Sequence, residues 1–193
     1  MAIDQSSVKG RIVKAAWELF WQKGYDDTTV DDIIRLSETS KGSFYYYFES
    51  KDALLSTLAT MLDEQYERLE GEMDAGMNSY DKLLFLNYEV HHFIEEKINM
   101  DLLASLYSTQ LTAKGDRSLL DQNRKYYQMI AAIIEEGQRN GQIIKTKSIQ
   151  EITKYYSLCE RALVSDWCLN RGSYSLAAYS KEYMPVMLEH FAI

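Results

Sequence analysis

A chain of 193 residues has room for one large domain or two small ones, and 46% hydrophobic with 26% charged residues excludes a disordered tail or a collagen-like rod. One proline and nine glycines are too few for the recurrent turns of an all-β sandwich, so the composition favours helices. A net charge of −8 argues against nonspecific coating of nucleic acid. The acidic excess lies late, since residues 1–51 hold seven Lys/Arg and eight Asp/Glu against 14 and 21 in the remainder.

Cys159 and Cys168 fall on one predicted helix, about 13 Å apart along its axis and beyond the ~7 Å that a disulfide spans. Both are expected to be free, in a reducing compartment. No apolar run is long enough to span a membrane, and Met1 to Arg11 lacks the apolar core of a secretory signal. A cytoplasmic protein without a membrane partner is expected.

In chain order, Ile12, Ala15, Ala16, Leu19 and Phe20 stripe a helix over roughly 5–23, which Gly24 ends. Thr29, with Asp32 three positions on, starts a short helix carrying Val30, Ile33, Ile34 and Leu36. After the polar turn Ser37-Glu38-Thr39, Ser40 caps a second short helix that reaches Phe48. Ser50 caps a long helix striped by Leu54, Leu55, Leu58, Met61, Leu62 and Leu69, to about residue 74. Later helices are expected at about 79–98, 100–112, 117–140, 148–171 and 174–191, with Pro185 bending the last. The fold class is therefore all-α, with about nine helices.

The first three helices form a helix-turn-helix unit, whose second paired helix enters the DNA major groove. Ser40, Lys41, Gly42 and Ser43 give that helix short side chains, one cation and a backbone that can approach a duplex closely. Its free N–H groups suit phosphate, and Lys41 can reach guanine O6 and N7. Phe44 and Phe48 take the inward i, i+4 positions, so at least one of Tyr45 and Tyr46 faces out. Lys51 can meet the DNA backbone beyond. Trp17 and Trp21, one turn apart and off the main stripe, are expected to pack against the next domain.

Ile12-x-x-Ala15-Ala16-x-x-Leu19-Phe20, Gly24-Tyr25, Thr28-Thr29-Val30, Ile33, the run Ser40 to Phe48, and Ser50-Lys51-Asp52-Ala53-Leu54 together resemble the TetR family of bacterial transcriptional regulators. The resemblance covers about residues 8–55. It implies a DNA-binding domain at 1–50 and a larger helical effector-binding and dimerisation domain at 51–193. It further implies a homodimeric repressor, released from its operator by a small molecule. By the same resemblance the DNA-contacting positions are Thr29, Ser40, Lys41, Gly42, Ser43, Tyr45, Tyr46 and Lys51. The turn departs from the family pattern, because Glu38 stands where small residues and glycine are usual and lacks glycine's access to positive φ.

The 15 tyrosines, eight methionines and six phenylalanines suit a mostly apolar ligand pocket with a few hydrogen bonds. Its candidate lining is Tyr88, His92, Phe93, Tyr107, Tyr127, Tyr155 and Cys159. On 148–171 one apolar stripe runs Ile149, Ile152, Tyr156, Cys159, Leu163 and another Tyr155, Leu158, Ala162, Leu169, so that helix needs two partners. A four-helix bundle between two subunits follows. Its expected interface is Ile152, Tyr156, Leu163, Tyr183, Met184, Met187, Leu188 and Phe191. His91 and His92 point in different directions on a helix, and no zinc-type spacing accompanies them or His190, so no metal or cofactor is expected. The alternatives to a ligand-released repressor are an activator without an inducer and, with no acid–base constellation in view, an enzyme built on the helical domain.

Overall fold

The computed structural model describes residues 6–74, 76–112 and 117–193. Among them are nine α-helices: α1 (Val8–Lys23), α2 (Val30–Leu36), α3 (Lys41–Tyr47), α4 (Lys51–Glu72), α5 (Ser79–Lys97), α6 (Met100–Thr112), α7 (Lys125–Arg139), α8 (Ile149–Leu169) and α9 (Leu176–Leu188). Short 3₁₀ turns cover Ser118–Leu120 and Glu189–Phe191. Strand-like pairing among the described residues is one antiparallel bridge, Ile143 to Ala192. No helix among them is long and apolar enough to cross a membrane.

Most helix starts are written in hydroxyl and amide side chains. Ser7, Thr29, Ser40, Asn78, Ser148 and Ser175 each accept a hydrogen bond from a backbone N–H of the first turn. This satisfies donors that a helix end would otherwise leave bare. Thr29–Asp32 and Ser148–Glu151 are complete capping boxes. The helix expected over 117–140 is divided instead. Asp121 accepts from both the backbone and the side-chain amide of Asn123, and this local turn outcompetes helix until α7 begins at Lys125.

The chain divides into two compact units, one holding the residues up to Glu64 with Asn99–Leu120, the other Gln65–Ile98 with Asp121–Ile193. In the first, α1 packs against α2 and α3. Ile12, Ala16, Phe20, Ile33 and Phe44 have no exposed surface, and each large side chain buried this way contributes roughly 1.5–3 kcal/mol. Trp17 donates to the Thr57 hydroxyl of α4 at 3.0 Å. Trp21, expected to pack, is 66% exposed.

In the second unit α5 packs on α7 and α9, and α8 packs on α7 and α9. At Gly137 of α7 a Cβ would lie 2.6 Å from Ile143 Cδ1 and 2.8 Å from Ser79 Cβ, so a side chain there would force the packing apart. The C-terminus is tied down by Ile144 N–H to Phe191 O at 3.0 Å and Ile193 N–H to Gln142 O at 3.2 Å. α9 runs through Pro185, whose carbonyl accepts from the Tyr80 hydroxyl at 3.0 Å. Neither Cys159 nor Cys168 takes part in a disulfide.

The turn after α2 closes by a recurrent geometry. Glu38 N–H bonds Arg35 O and Thr39 N–H bonds Ile34 O, the Schellman pattern, with Glu38 at φ 51°. The same pattern ends α8, with Arg171 at φ 52°, and α7, where Gly141 takes the left-handed position. A side chain at such a φ costs roughly 1–2 kcal/mol. Replacing Glu38 by Gly relieves that strain, partly offset by the added freedom of the unfolded chain. Glu38→Gly is expected to stabilise by about 0.5–1 kcal/mol in urea melts, while Glu38→Gln leaves stability unchanged.

The core of the second unit holds a carboxylate. Glu160 Oε2 accepts from the Tyr126 hydroxyl at 2.5 Å, and Oε1 accepts from Asn87 Nδ2 at 3.1 Å and the Tyr66 hydroxyl at 3.4 Å. The Tyr156 hydroxyl beside them donates to Leu83 O at 2.9 Å. These donors are neutral, and burial outweighs them, holding the Glu160 pKa above the ordinary carboxylate range. The folded state therefore binds this proton more tightly than the unfolded chain does. Its contribution is complete at acid pH and declines as pH rises through the folded pKa, by about 1.4 kcal/mol per tenfold difference in proton affinity. Above the ordinary carboxylate range the stability of Glu160→Gln relative to the parent is expected to rise with pH in urea melts, until the buried carboxyl has lost its proton; a flat difference would mean that burial does not raise the Glu160 pKa.

Candidate nucleic-acid interface

α3 is a seven-residue helix held from both ends. Ser40 accepts from the Ser43 N–H at 3.0 Å, and its hydroxyl lies 2.9 Å from that of Ser43. Phe44 and Phe48 are buried, with ring centres 6.0 Å apart. Successive residues turn about 100°, so this anchoring leaves the other faces to solvent. Tyr46 is 81% exposed, and Tyr45, Tyr47, Lys41 and Gly42 are exposed with it. Tyr45 sits edge-on to Phe44 at 5.3 Å, and Tyr46 edge-on to Tyr47 at 4.8 Å, which steadies both rings. A Cβ added at Gly42 would meet nothing closer than Ser40 Oγ at 3.7 Å. The fold itself thus does not demand glycine there.

The electrostatics are local. The Lys41 ammonium lies 3.9 Å from the Asp31 carboxylate, both side chains in solvent. Asp32 is hydrogen-bonded by Lys23, Thr29 and Arg35, and the bonds from Lys23 and Thr29 hold its carboxyl well below the usual range. Thr29 is exposed, with its hydroxyl committed to the capping box. Lys51 turns back into its own unit: its ammonium donates to Tyr25 O at 2.7 Å and Asp26 O at 3.4 Å, and sits 4.1 Å from the centre of the Tyr25 ring. The Tyr25 hydroxyl donates to Asp52, and burial with that neighbouring carboxylate pushes its pKa up. Lys51 therefore fixes the loop between α1 and α2. Among the eight expected DNA-contacting positions, Ser40, Lys41, Gly42, Ser43, Tyr45 and Tyr46 lie on or beside one short helix, while Thr29 and Lys51 flank it as structural pins.

The residues expected to line a ligand pocket are dispersed. Tyr88 borders a cleft between α5 and α9, and His92 stacks beside it with ring centres 6.1 Å apart. Phe93 is half-buried on α5, and Tyr107 lies on α6 in the other unit. Tyr127 is buried and accepts from Arg161 at 3.3 Å. Tyr155 is on the surface beside Phe191, with ring centres 5.2 Å apart, and Cys159 is buried. The sequence reading passed over the residues that share the cleft with Tyr88, because they come from two distant helices.

The expected subunit interface needs correction at five positions. Ile152, Tyr156, Leu163, Met184 and Leu188 are buried within their own unit and leave no surface for a partner. Tyr183 is exposed, and Met187 and Phe191 are partly so. The stripe of α8 that faces out is the other one, Tyr155, Leu158, Ala162 and Leu169, joined on α9 by Tyr179, Tyr183 and Val186. Both stripes are apolar, and the sequence alone does not rank them. The polar cluster around Glu160 does.

Residues 12–58 match the model of bacterial regulatory proteins of the tetR family. The chain is 28% identical over 142 residues to the HTH-type transcriptional regulator QacR of Staphylococcus aureus, covering 70% of this chain and 73% of that one. It is 39% identical over 97 residues to the HTH-type regulator YuxN of Bacillus subtilis, a match over 47% of this chain that spans 33% of the longer relative. In fold it resembles FadR of Thermus thermophilus, a TetR-family transcriptional repressor solved in complex with lauroyl-CoA. That likeness has a TM-score of 0.74 at 22% identity, over 97% of this chain and 96% of that one. The helix-turn-helix of α2 and α3 is that of a TetR-family transcriptional regulator, and the helices after it share the fold of a solved member of that family.

Proposed function

We propose that this regulator is a homodimeric repressor, in which residues 1–50 read an operator and residues 51–193 bind a small effector and dimerise. The observation that carries the reading is α3, whose buried Phe44 and Phe48 hold Lys41, Gly42, Tyr45 and Tyr46 outward as one contact face. Lys41 reads base edges, Gly42 lets the backbone approach, and Tyr45 and Tyr46 offer hydroxyls to phosphate and ring faces to thymine methyls. Ser40 and Ser43 set the start of the helix, and Thr29 sets that of its neighbour. Two copies would place α3 in successive major grooves roughly 34–36 Å apart, on a near-palindromic operator in the cytoplasm.

Dimerisation through the outward stripe of α8 and α9 is supported by Leu158 and Val186, 55% and 66% exposed. Apolar surface of this kind marks an interaction site, and a C2 axis would set each stripe against its copy. An effector role for the second unit is supported by the likeness to a FadR that holds lauroyl-CoA. α4 is continuous across the division between the units, so the chain itself links effector binding to α3. The effector acts by binding one spacing of the two α3 helices better than the other.

Lys41→Ala and Tyr46→Ala are each expected to weaken operator binding about tenfold or more in gel-shift titrations, with unchanged melting temperatures. Gly42→Ala separates fold from contact most sharply, since helix propensity favours alanine by about 1 kcal/mol. It should melt higher and bind the operator less. Intact binding in all three variants would remove α3 from the interface. For the subunit contact, Leu158→Arg is expected to convert the dimer to a folded monomer in sedimentation, and a dimer that persists would exclude this stripe.

A further inference from the structure

Between α5 and α9 the second unit opens into a cleft of about 340 Å3. Leu84 and Phe85 of α5, with Met184 and Pro185 of α9, make its wall almost wholly apolar. Ser180 also borders the cleft, but its hydroxyl is spent on Nδ1 of buried His91. Burial draws the His91 pKa down to about 3, so the ring behind Ser180 adds no charge.

The polar groups of the rim have a different status. The ammonium of Lys181 lies 5.5 Å from the centre of the Tyr88 ring and pairs with no carboxylate among the described residues. The hydroxyl of Tyr88 likewise has no hydrogen-bond partner among them. His92 stacks on Tyr88 with the rings 6° from parallel and is itself steadied by Glu96 at 3.4 Å. An apolar trough thus ends at one free cation and one free phenol, both held near a fixed ring.

We propose that this cleft binds a small amphiphile whose alkyl or aryl body ends in a single carboxylate. The body covers Leu84, Phe85, Met184 and Pro185, and the carboxylate accepts from Lys181 Nζ and the Tyr88 hydroxyl. Charge excludes a protonated amine, which would face Lys181. Size excludes a large conjugate, since the volume is at the low end of the ~300–1,000 Å3 of small-molecule sites. Lys181 and Pro185 lie on a different side of α9 from Tyr183 and Val186, by the 100° step of the helix, so the outward stripe does not cover the cleft. The site stands independently of operator binding.

The test is calorimetric titration of the full chain with decanoate below its micelle concentration, beside decanol and decylamine. Decanoate is expected to bind saturably, one per chain, and more tightly than either control. Lys181→Met should weaken decanoate about tenfold or more while leaving decanol unchanged, since it removes one charge-assisted hydrogen bond. Tyr88→Phe should weaken it less, and Leu84→Trp should fill the trough and abolish binding, with thermal melts confirming the folded state. Lys181 is exposed, so its variant tests the site even if Leu84→Trp unfolds. Unsaturable binding, decylamine bound as tightly as decanoate, or equal affinity in parent and Lys181→Met would each overturn the assignment.

Discussion

A helix of seven residues does not hold together in water by itself, because nucleating a turn costs more than so few hydrogen bonds return. α3 exists because Phe44 and Phe48 are driven out of water beside the α1 core of Ile12, Ala16 and Phe20, and because Ser40 closes its first turn. The direction of Lys41, Tyr45 and Tyr46 follows from this anchoring and not from any preference of their own. Once two aromatic side chains point inward one turn apart, the 100° step leaves their neighbours no other face. The proposed reading surface is thus a by-product of the hydrophobic core beneath it.

That surface is sparing with charge. α2 carries Asp31 and Asp32, and Glu38 follows in the turn, so a duplex approaching α3 meets three carboxylates close in sequence. Asp32 is neutralised locally by Lys23 and Arg35, and Lys51 is occupied by the carbonyls of the α1–α2 loop. Lys41 remains, and its exposed pairing with Asp31 is of the kind worth at most about 1 kcal/mol, which a phosphate or a guanine edge readily replaces. On the proposed reading, affinity on such a face would rest more on fit, close approach at Gly42 and the tyrosine contacts than on neutralising many phosphates.

Much of this was legible in the sequence, for reasons that are themselves local. Thr29 with Asp32, Ser40, Ser50 and Gly24 act within three or four residues of themselves, so these helix limits could be read nearly to the residue, whereas α1, expected from about residue 5, begins at Val8 under the Ser7 cap. The start of α7 was not legible, because Asp121 and Asn123 stabilise a turn that competes with a helix of equal apolar periodicity. The destinations of Lys51 and Trp21 depended on tertiary neighbours. The cleft between α5 and α9 had no linear signature at all, since Leu84 and Lys181 are brought together by the packing of helices far apart in the chain.

The two stripes of α8 show how a polar constraint decides an apolar outcome. Tyr156, Leu163 and Ile152 turn inward, while Tyr155, Leu158 and Leu169 turn outward, although either set is hydrophobic enough to be core. Glu160 flanks the inward stripe on the side away from the outward one, and its carboxyl is costly to bury unless donors surround it. Tyr126, Tyr66 and Asn87 supply those donors from α7, α4 and α5. Rotating α8 to bury Leu158 would strip Glu160 of all three. The hydrogen-bonded cluster therefore fixes the rotation of the helix about its axis, and through it selects which apolar face the chain leaves uncovered, the face proposed above to meet a second copy.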